Sequence, residues 1–509
     1  MIAARLVLLA ADAVPFNSDE AVVGLMARHI LQGERPAFFY GQAYLGSTDA
    51  WLVAIACAVF GPSVWMIRLV QIALFAATLF TTYPVARRLG LDEWTARAAV
   101  MLMALPPTLL TLYTTATLGG YGETLLFGNF LLWIALRLTP SGADFRWVLL
   151  GFVAGFAFYT FGLILVYLIP IAAWLLAKHR LRARRGYALA LIGFAFGSAP
   201  WWLSITQLGG SLLAELGGAA VAGTLAGPGE AGGLALRLIN FFIFGVSALF
   251  GLRYPWSAEP IIPIAGIVVA TIYIGAFLIS LRRAPRLLWG MIGVLLITYL
   301  LTPFGGDASA RYVLPLYLPL SIFTALALAW LKDRLAGWRA GLLIGLIVGY
   351  NLLGVALAAM RVPPGLTTQF DSVTWLDKSR DRALIDFLLA RGETRGYSNY
   401  WVVYPIAFLS DEQIVSSAQL PYHLDLRYTP RDDRYPPYAQ AVAESPRAFY
   451  ITTNHPPLDA LVRQRLTGLG VTFEEAAIGN YHVFHGLSRK VEPDEIGLEH
   501  TTEGDGTTR

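Results

Sequence analysis

Long apolar runs broken by short basic loops fill the chain up to Met360, and charged, Pro- and Tyr-rich sequence replaces them from Arg361 onward. A helix that crosses a bilayer needs about 20 apolar residues, and Lys and Arg gather at its cytoplasmic end. Val64 to Val85, Ala96 to Thr115, Thr124 to Leu136 and Tyr187 to Ile205 read as spans on that pattern. So do Ile261 to Leu281, Leu287 to Pro303, Val313 to Leu331 and Ala340 to Met360. Trp147 to Ala177 suits two short helices in a hairpin, with Gly162 near its middle. Leu6 to Phe16, interrupted by Asp12, is short. It reads as a first transmembrane helix that is shortened or begins upstream, with a signal-peptide site at Ala11-Asp12-Ala13 as the alternative. Trp51 to Phe60 is too short to cross and is placed along the interface.

The basic groups Arg87-Arg88, Arg137 with Arg146, Lys178 to Arg185, Arg282 to Arg286 and Lys332 to Arg339 all fall on one side under the positive-inside rule. The result is a polytopic α-helical membrane domain over residues 1–360 with about eleven spans and its N-terminus inside. The loops that carry Asp19-Glu20, Glu123, Leu208 to Pro260 and Asp307 to Arg311 then share the outer face. The apolar stretch Leu238 to Leu252 inside the long loop reads as interfacial or partly buried. Residues 361–490 read as an extracytoplasmic soluble α/β domain. Helices are expected there at Arg382 to Ala390 and Leu458 to Leu469, and strands at Trp401–Val403, Ile414–Val415, Ala448–Thr452 and Tyr481–Phe484. The polar tail, residues 491–509, is expected to be disordered.

Composition agrees with that layout. Of 509 residues, 56% are hydrophobic and 14% charged, far from the charge content of a soluble domain. The net charge of +4 reflects the cytoplasmic loops, so no nucleic-acid partner is expected. The multi-pass protein is assigned to the plasma membrane, with the bilayer as its constant partner. One cysteine, Cys57, rules out an intrachain disulfide and lies in an apolar run, where packing is its ordinary role.

Asp19-Glu20 opens a helix-period segment, Val22, Leu25, Met26, His29 and Ile30, that fits a helix lying in the interface. Asn17-x-x-Glu20 is also a capping pattern, so the acids have a structural reading as well as a chemical one. Arg28 and Arg35 can reach lipid phosphates or snorkel. Glu123 follows glycines and can be another helix cap, and Arg311 can be a span-end anchor beside Tyr312. Tyr40, Gln42, Tyr44, Asp49 and Tyr121 offer the aromatic faces, amide and carboxylate that suit a sugar, although interface aromatics have the same composition. HExxH is absent and no His, Cys and acid cluster has metal spacing, so no cofactor is assigned and a divalent metal stays an open alternative.

Those residues carry a resemblance. The outer Asp19-Glu20 loop, the interfacial helix and the loop Tyr40-Gly41-Gln42-Ala43-Tyr44-Leu45-Gly46 resemble the GT-C superfamily of membrane glycosyltransferases. So do Phe60-Gly61-Pro62-Ser63 with Arg68, Arg87-Arg88-Leu89-Gly90, Glu123, and Ala310-Arg311-Tyr312 with Leu314-Pro315. Within the superfamily the layout is similar to the branch of protein O-mannosyltransferases and lipid A aminoarabinose transferases. The resemblance implies a polyprenyl-phosphate-linked sugar donor and transfer, with inversion, to a lipid, glycan or protein hydroxyl on the extracytoplasmic face. It implies Asp19 as base, Glu20 and Glu123 as accompanying acids, and Arg311, with Arg28, as contacts for the donor phosphate. It places Tyr40, Gln42, Tyr44, Asp49, Tyr121 and Tyr312 about the sugar and acceptor. Phe161-Gly162 stands where several relatives carry a lysine.

A transporter or flippase for a lipid-linked saccharide is the main rival. Coupled transporters place ionisable groups at mid-membrane and repeat their halves, whereas here the charged residues collect at the span ends. A membrane anchor for the outer domain would leave the convergence of acidic and basic loops without a purpose.

Overall fold

The computed structural model describes residues 1–140, 144–208, 233–334 and 337–500. The N-terminal run forms the helix Ile2–Ala10. Its Arg5 is buried and turns inward, donating from Nη2 to Thr114 Oγ1 at 2.6 Å and from Nε to the Thr114 carbonyl at 3.3 Å. The next helix, Ser18–Gln32, starts where Asn17 Oδ1 accepts the Glu20 N–H at 3.1 Å and stops at Gly33, whose φ of 114° closes the last turn.

The apolar stripe of this second helix is covered by protein on more than one side. Ala21, Val22, Val23, Met26 and Ala27 are wholly enclosed, and the helix packs between Thr48–Phe60 and Tyr400–Leu409 of the C-terminal domain. Gly24 permits that packing, because a Cβ there would sit 2.6 Å from the Phe408 ring.

Among the described residues five helical stretches are long and apolar enough to cross a bilayer: Val64–Arg88, Gly162–Gly197, Pro263–Ser280, Arg311–Arg334 and Gly337–Ala359. Others are short. The 13 residues of Thr48–Phe60 make a rod of about 20 Å against a hydrocarbon core of about 30 Å. The eleven expected crossings are therefore not each carried by a helix of spanning length. The hairpin is present as Asp144–Thr160 and Leu165–His179, joined through Phe161 and the turn Gly162–Ile164. Of the long loop, residues 209–232 lie outside the described residues, and the apolar stretch expected within it forms the helix Leu234–Leu249.

One close helix pair escaped the hydropathy pattern. Asp144–Thr160 and Arg184–Gly197 touch backbone to backbone through Gly151 and Gly155 on one side and Gly193 and Gly197 on the other. Cβ atoms at Gly151 and Gly155 would fall 1.9 Å and 2.1 Å from the carbonyl oxygens of Ala190 and Phe194. Glycines four apart on both helices give the close approach of small-xxx-small membrane packing. Gly155→Leu is expected to force the pair apart at a cost of about 3 kcal/mol, read as a lower thermal midpoint in detergent. Gly275→Ala, which meets open space, is expected to leave the midpoint in place.

The C-terminal domain holds a five-stranded sheet in the order β4-β3-β6-β8-β7. Its strands are β3 (Arg395–Ser398), β4 (Val415–Ala418), β6 (Phe449–Thr453), β7 (Glu474–Ile478) and β8 (Tyr481–His485). β3 runs parallel to β4 and β6, while β8 is antiparallel to β6 and β7. Three expected strands are present, but Trp401–Val403 is helical. Asn399 Oδ1 accepts the Trp401 N–H at 3.0 Å and starts the helix Tyr400–Leu409 there. The helices Asp381–Ala390 and Pro456–Gly468 match expectation. The tail is ordered further than its polarity suggests. Val491, Ile496 and Leu498 are buried, and β9 (Glu499–His500) pairs with β5 (Arg427–Tyr428). Residues 501–509 lie outside the described residues. The remaining strands, β1 (Phe38–Phe39) and β2 (Gln42–Gly46), form a hairpin after the Ser18–Gln32 helix.

Candidate active site

A cavity of about 690 Å³ opens where loops of the helical part of the chain meet the C-terminal domain. The membrane domain supplies Asp19, Gln42, Tyr44, Tyr121, Phe161 and Arg311 to its wall. The C-terminal domain supplies Tyr400, Trp401, Tyr422, Asp432 and Arg434.

Asp19 sits in the first turn of the Ser18–Gln32 helix, where the helix dipole favours a carboxylate. Its Oδ1 accepts the Tyr400 hydroxyl at 2.6 Å, and Ser18 Oγ donates to the Tyr400 carbonyl at 2.5 Å. Two helix N-termini from the two domains are thus tied together at the acid. Burial, and then the charge of Asp19, push the Tyr400 phenol well above its ordinary range, so it stays protonated as a donor. Among the described residues no donor meets Asp19 Oδ2, which leaves that oxygen for a ligand.

Arg434 lies with its guanidinium carbon 5.3 Å from the centre of the Tyr400 ring. With its amide oxygen turned toward Arg434, Gln42 accepts from Nη2 at 3.0 Å and Nη1 at 2.9 Å. Burial works against the Arg434 charge, while the neighbouring carboxyl groups of Asp432 and Asp19 favour it.

Arg311 lines the same cavity. Its Nε meets Asp307 Oδ2 at 2.5 Å, its guanidinium carbon is 5.2 Å from the centre of the Tyr312 ring, and its side chain is 32% exposed. Buried Arg253 holds this loop in place: Nη2 donates to the Ala308 carbonyl at 2.7 Å, while Nη1 donates to the carbonyls of Tyr254 at 2.9 Å and Ser257 at 3.1 Å. Nothing in its local sequence, Gly-Leu-Arg-Tyr, marks Arg253 as a loop staple.

The other sequence candidates lie elsewhere. Glu20 is fully buried and accepts from Arg68 Nε and Nη2, both at 2.9 Å. Asp49 is buried as well, accepting from Gln71 Nε2 at 2.9 Å and from the Thr117 hydroxyl, and the buried Glu123 carboxyl meets no hydrogen-bond partner among the described residues. Arg28 bonds Asp411 Oδ1 at 2.8 Å and the Phe408 carbonyl at 3.1 Å, which fastens its helix to the C-terminal domain. Tyr40 donates to Glu34 Oε2 at 2.5 Å and stacks on Tyr435 at 4.7 Å. Tyr312 is buried behind Arg311, its ring against Phe304. Asp19, Gln42, Tyr44, Tyr121 and Arg311 are thus brought together, whereas Glu20, Glu123, Arg28, Tyr40, Asp49 and Tyr312 stand outside the cavity wall. Among the described residues no three His, Cys, Asp or Glu side chains converge as a metal site.

The C-terminal contributions were missed, although Arg431-Asp432-Asp433-Arg434 is a dense charge cluster for a loop that faces solvent. Asp432 is 6% exposed. Burial lifts its carboxyl from 3.8, Arg434 opposes the lift and Asp19 adds to it, so that it titrates at about 7. A carboxyl raised in the folded state adds stability below its unfolded value, and that contribution is lost as pH rises toward 7. The thermal midpoint of wild type relative to Asp432→Asn is therefore expected to fall between pH 4 and pH 7 and to level off above. A gap that does not change across that range would show that Asp432 is already ionised.

Comparison with known proteins bears on the fold. The profile of the dolichyl-phosphate-mannose-protein mannosyltransferase family matches residues 48–203. The undecaprenyl phosphate-alpha-4-amino-4-deoxy-L-arabinose arabinosyl transferase of Pseudomonas aeruginosa strain LESB58 is 30% identical over 183 residues, 33% of this chain. The match spans about a third, 32%, of that relative's length. The fold is similar over nearly the whole chain to ArnT from Cupriavidus metallidurans bound to undecaprenyl phosphate. The TM-score is 0.61 at 14% identity, covering 95% of this chain and 96% of the other. The apo form of the same ArnT gives 0.59 at 13% identity, over 95% and 97%. Those likenesses agree with the loop motifs of the sequence, and the chain resembles the GT-C superfamily, within it the branch of the protein mannosyltransferases and the aminoarabinose transferases.

Proposed function

We propose that this protein is a membrane glycosyltransferase that moves a sugar from a polyprenyl-phosphate donor to an acceptor hydroxyl on the extracytoplasmic face. The observation that carries the reading is that Asp19 and Arg311, an acid and a cation from distant loops, open on one cavity. Asp19 Oδ2 takes the proton of the acceptor hydroxyl while Tyr400 holds Oδ1 in place. The acceptor oxygen bonds to the anomeric carbon, and the bond from that carbon to the phosphate oxygen breaks with its electron pair leaving on the phosphate. Arg311 meets the charge that grows there, a role suited to a fixed guanidinium. Base and leaving phosphate on opposite faces of the sugar give inversion, as in inverting glycoside hydrolysis. Phosphate is a fair leaving group, so base catalysis at the weakly acidic hydroxyl is the larger demand.

The ArnT structure bound to undecaprenyl phosphate and the name of the aminoarabinose relative support a lipid-linked donor. The test is to incubate membranes holding wild type or Asp19→Asn with a panel of labelled polyprenyl-phosphate sugars. Wild type is expected to consume at least one donor and the variant almost none. Wild-type membranes that consume none of them would favour a flippase.

A further inference from the structure

Beyond Asp19 the cavity wall changes character. Tyr400, Trp401, Tyr422 and His423 form a continuous run of rings, with centroids 4.9 Å, 6.1 Å and 4.2 Å apart in that order. The run begins at the phenol bonded to Asp19 and leads along the C-terminal domain. Polar groups flank it: Asp371, whose Oδ2 lies 3.3 Å from His423 Nδ1, together with Arg431 and Asp432. The Trp401 indole N–H is buried and meets no acceptor among the described residues. A sugar ring presents an apolar C–H face with hydroxyls around its edge. Flat aromatic faces beside carboxylates and arginines complement both.

We propose that this run of rings is the acceptor subsite and that it takes a carbohydrate, so that the hydroxyl delivered to Asp19 belongs to a glycan. The assignment rests on the glycosyl-transfer reading of the cavity.

Two other hydroxyl carriers suit the wall less well. An extended peptide commonly binds by adding to an open strand edge. The strand in this wall, β2, is paired with β1 on one side and bridged to Phe161 through Leu45 on the other. An acyl-chain acceptor needs a continuous apolar groove, whereas Asp19, Asp307, Asp371 and Asp432 punctuate this wall together with three arginines, Arg311, Arg431 and Arg434.

The test uses the full chain in lipid nanodiscs. Soluble oligosaccharides built from hexoses, N-acetylhexosamines and uronic acids, hydroxyl-bearing peptides, and hydroxylated lipids are titrated separately and then offered as acceptors with labelled polyprenyl-phosphate sugars. At least one oligosaccharide is expected to bind and to accept sugar. Trp401→Ala is expected to weaken that binding about tenfold, with Trp401→Phe restoring most of it, and to change the affinity for polyprenyl phosphate much less. Recovery by Phe separates stacking from a folding defect. The proposal is overturned if only peptides or only lipids accept sugar, or if oligosaccharide binding ignores Trp401→Ala and Tyr422→Ala. Donor consumption distinguishes the two levels. A protein that consumes donor but binds no oligosaccharide sinks the glycan subsite alone, while one that consumes no donor with any acceptor or water sinks the transfer reading and the acceptor role with it.

Discussion

Asp19→Asn is expected to leave the protein folded while slowing sugar transfer by at least about 10²-fold, the lower end of what a positioned base contributes. The substitution keeps the shape of the side chain, and the amide oxygen can still accept the Tyr400 hydroxyl that Oδ1 accepts at 2.6 Å. The tie between the two helix N-termini therefore survives. What disappears is the second oxygen with affinity for a proton. Initial rates with a labelled polyprenyl-phosphate sugar, set against an unchanged thermal midpoint, measure the effect. Transfer by the variant within a few-fold of wild type, with about tenfold as the limit, would remove Asp19 from the chemistry.

The adjacent acid behaves in the opposite way. Glu20→Gln is expected to destabilise the protein by about 3–5 kcal/mol, because it strands a buried guanidinium. Glu20 holds Arg68 through two bonds of 2.9 Å, and neither side chain reaches solvent to any extent. The variant is expected to be lost from the folded fraction in detergent, with transfer per folded molecule close to wild type. Replacing both partners, Glu20→Gln with Arg68→Met, removes the stranded charge and is expected to recover much of the loss. A Glu20→Gln protein that folds normally yet fails in transfer would make Glu20 part of the reaction. Two neighbouring residues of the same charge thus separate catalysis from stability.

The sequence pattern made the membrane layout and the outer-loop site legible to different depths. Span positions are read from local apolar length, and the side expected for the Asp19, Glu123 and Arg311 loops from where the arginines lie. Which acid of Asp19-Glu20 faces the cavity depends on helix rotation, and that is fixed by Arg68, which lies 48 residues away. Glu123 shows the same limit, since its turn inward to Asp49 is set by packing between helices that pattern alone cannot orient. In the C-terminal domain the strands rich in Tyr, Val and Ile stood out. Glu474–Ile478 is not among the expected strands, and it pairs with the edge that β8 offers. Tyr400 and Arg434 were the least legible. Their role exists only once a separate domain is laid against the first outer loop, and no local period encodes that docking.

Docking also bears on how the protein is made. The Ser18–Gln32 helix leaves the ribosome early, whereas Tyr400 and Arg434 are among the later parts of the chain. During synthesis the inserted helices carry Asp19 without the phenol that orients it and without one wall of the cavity. A half-made molecule accordingly lacks Tyr400, Trp401, Tyr422, Asp432 and Arg434 from its cavity, and the wall closes only when the C-terminal domain packs onto the Ser18–Gln32 helix.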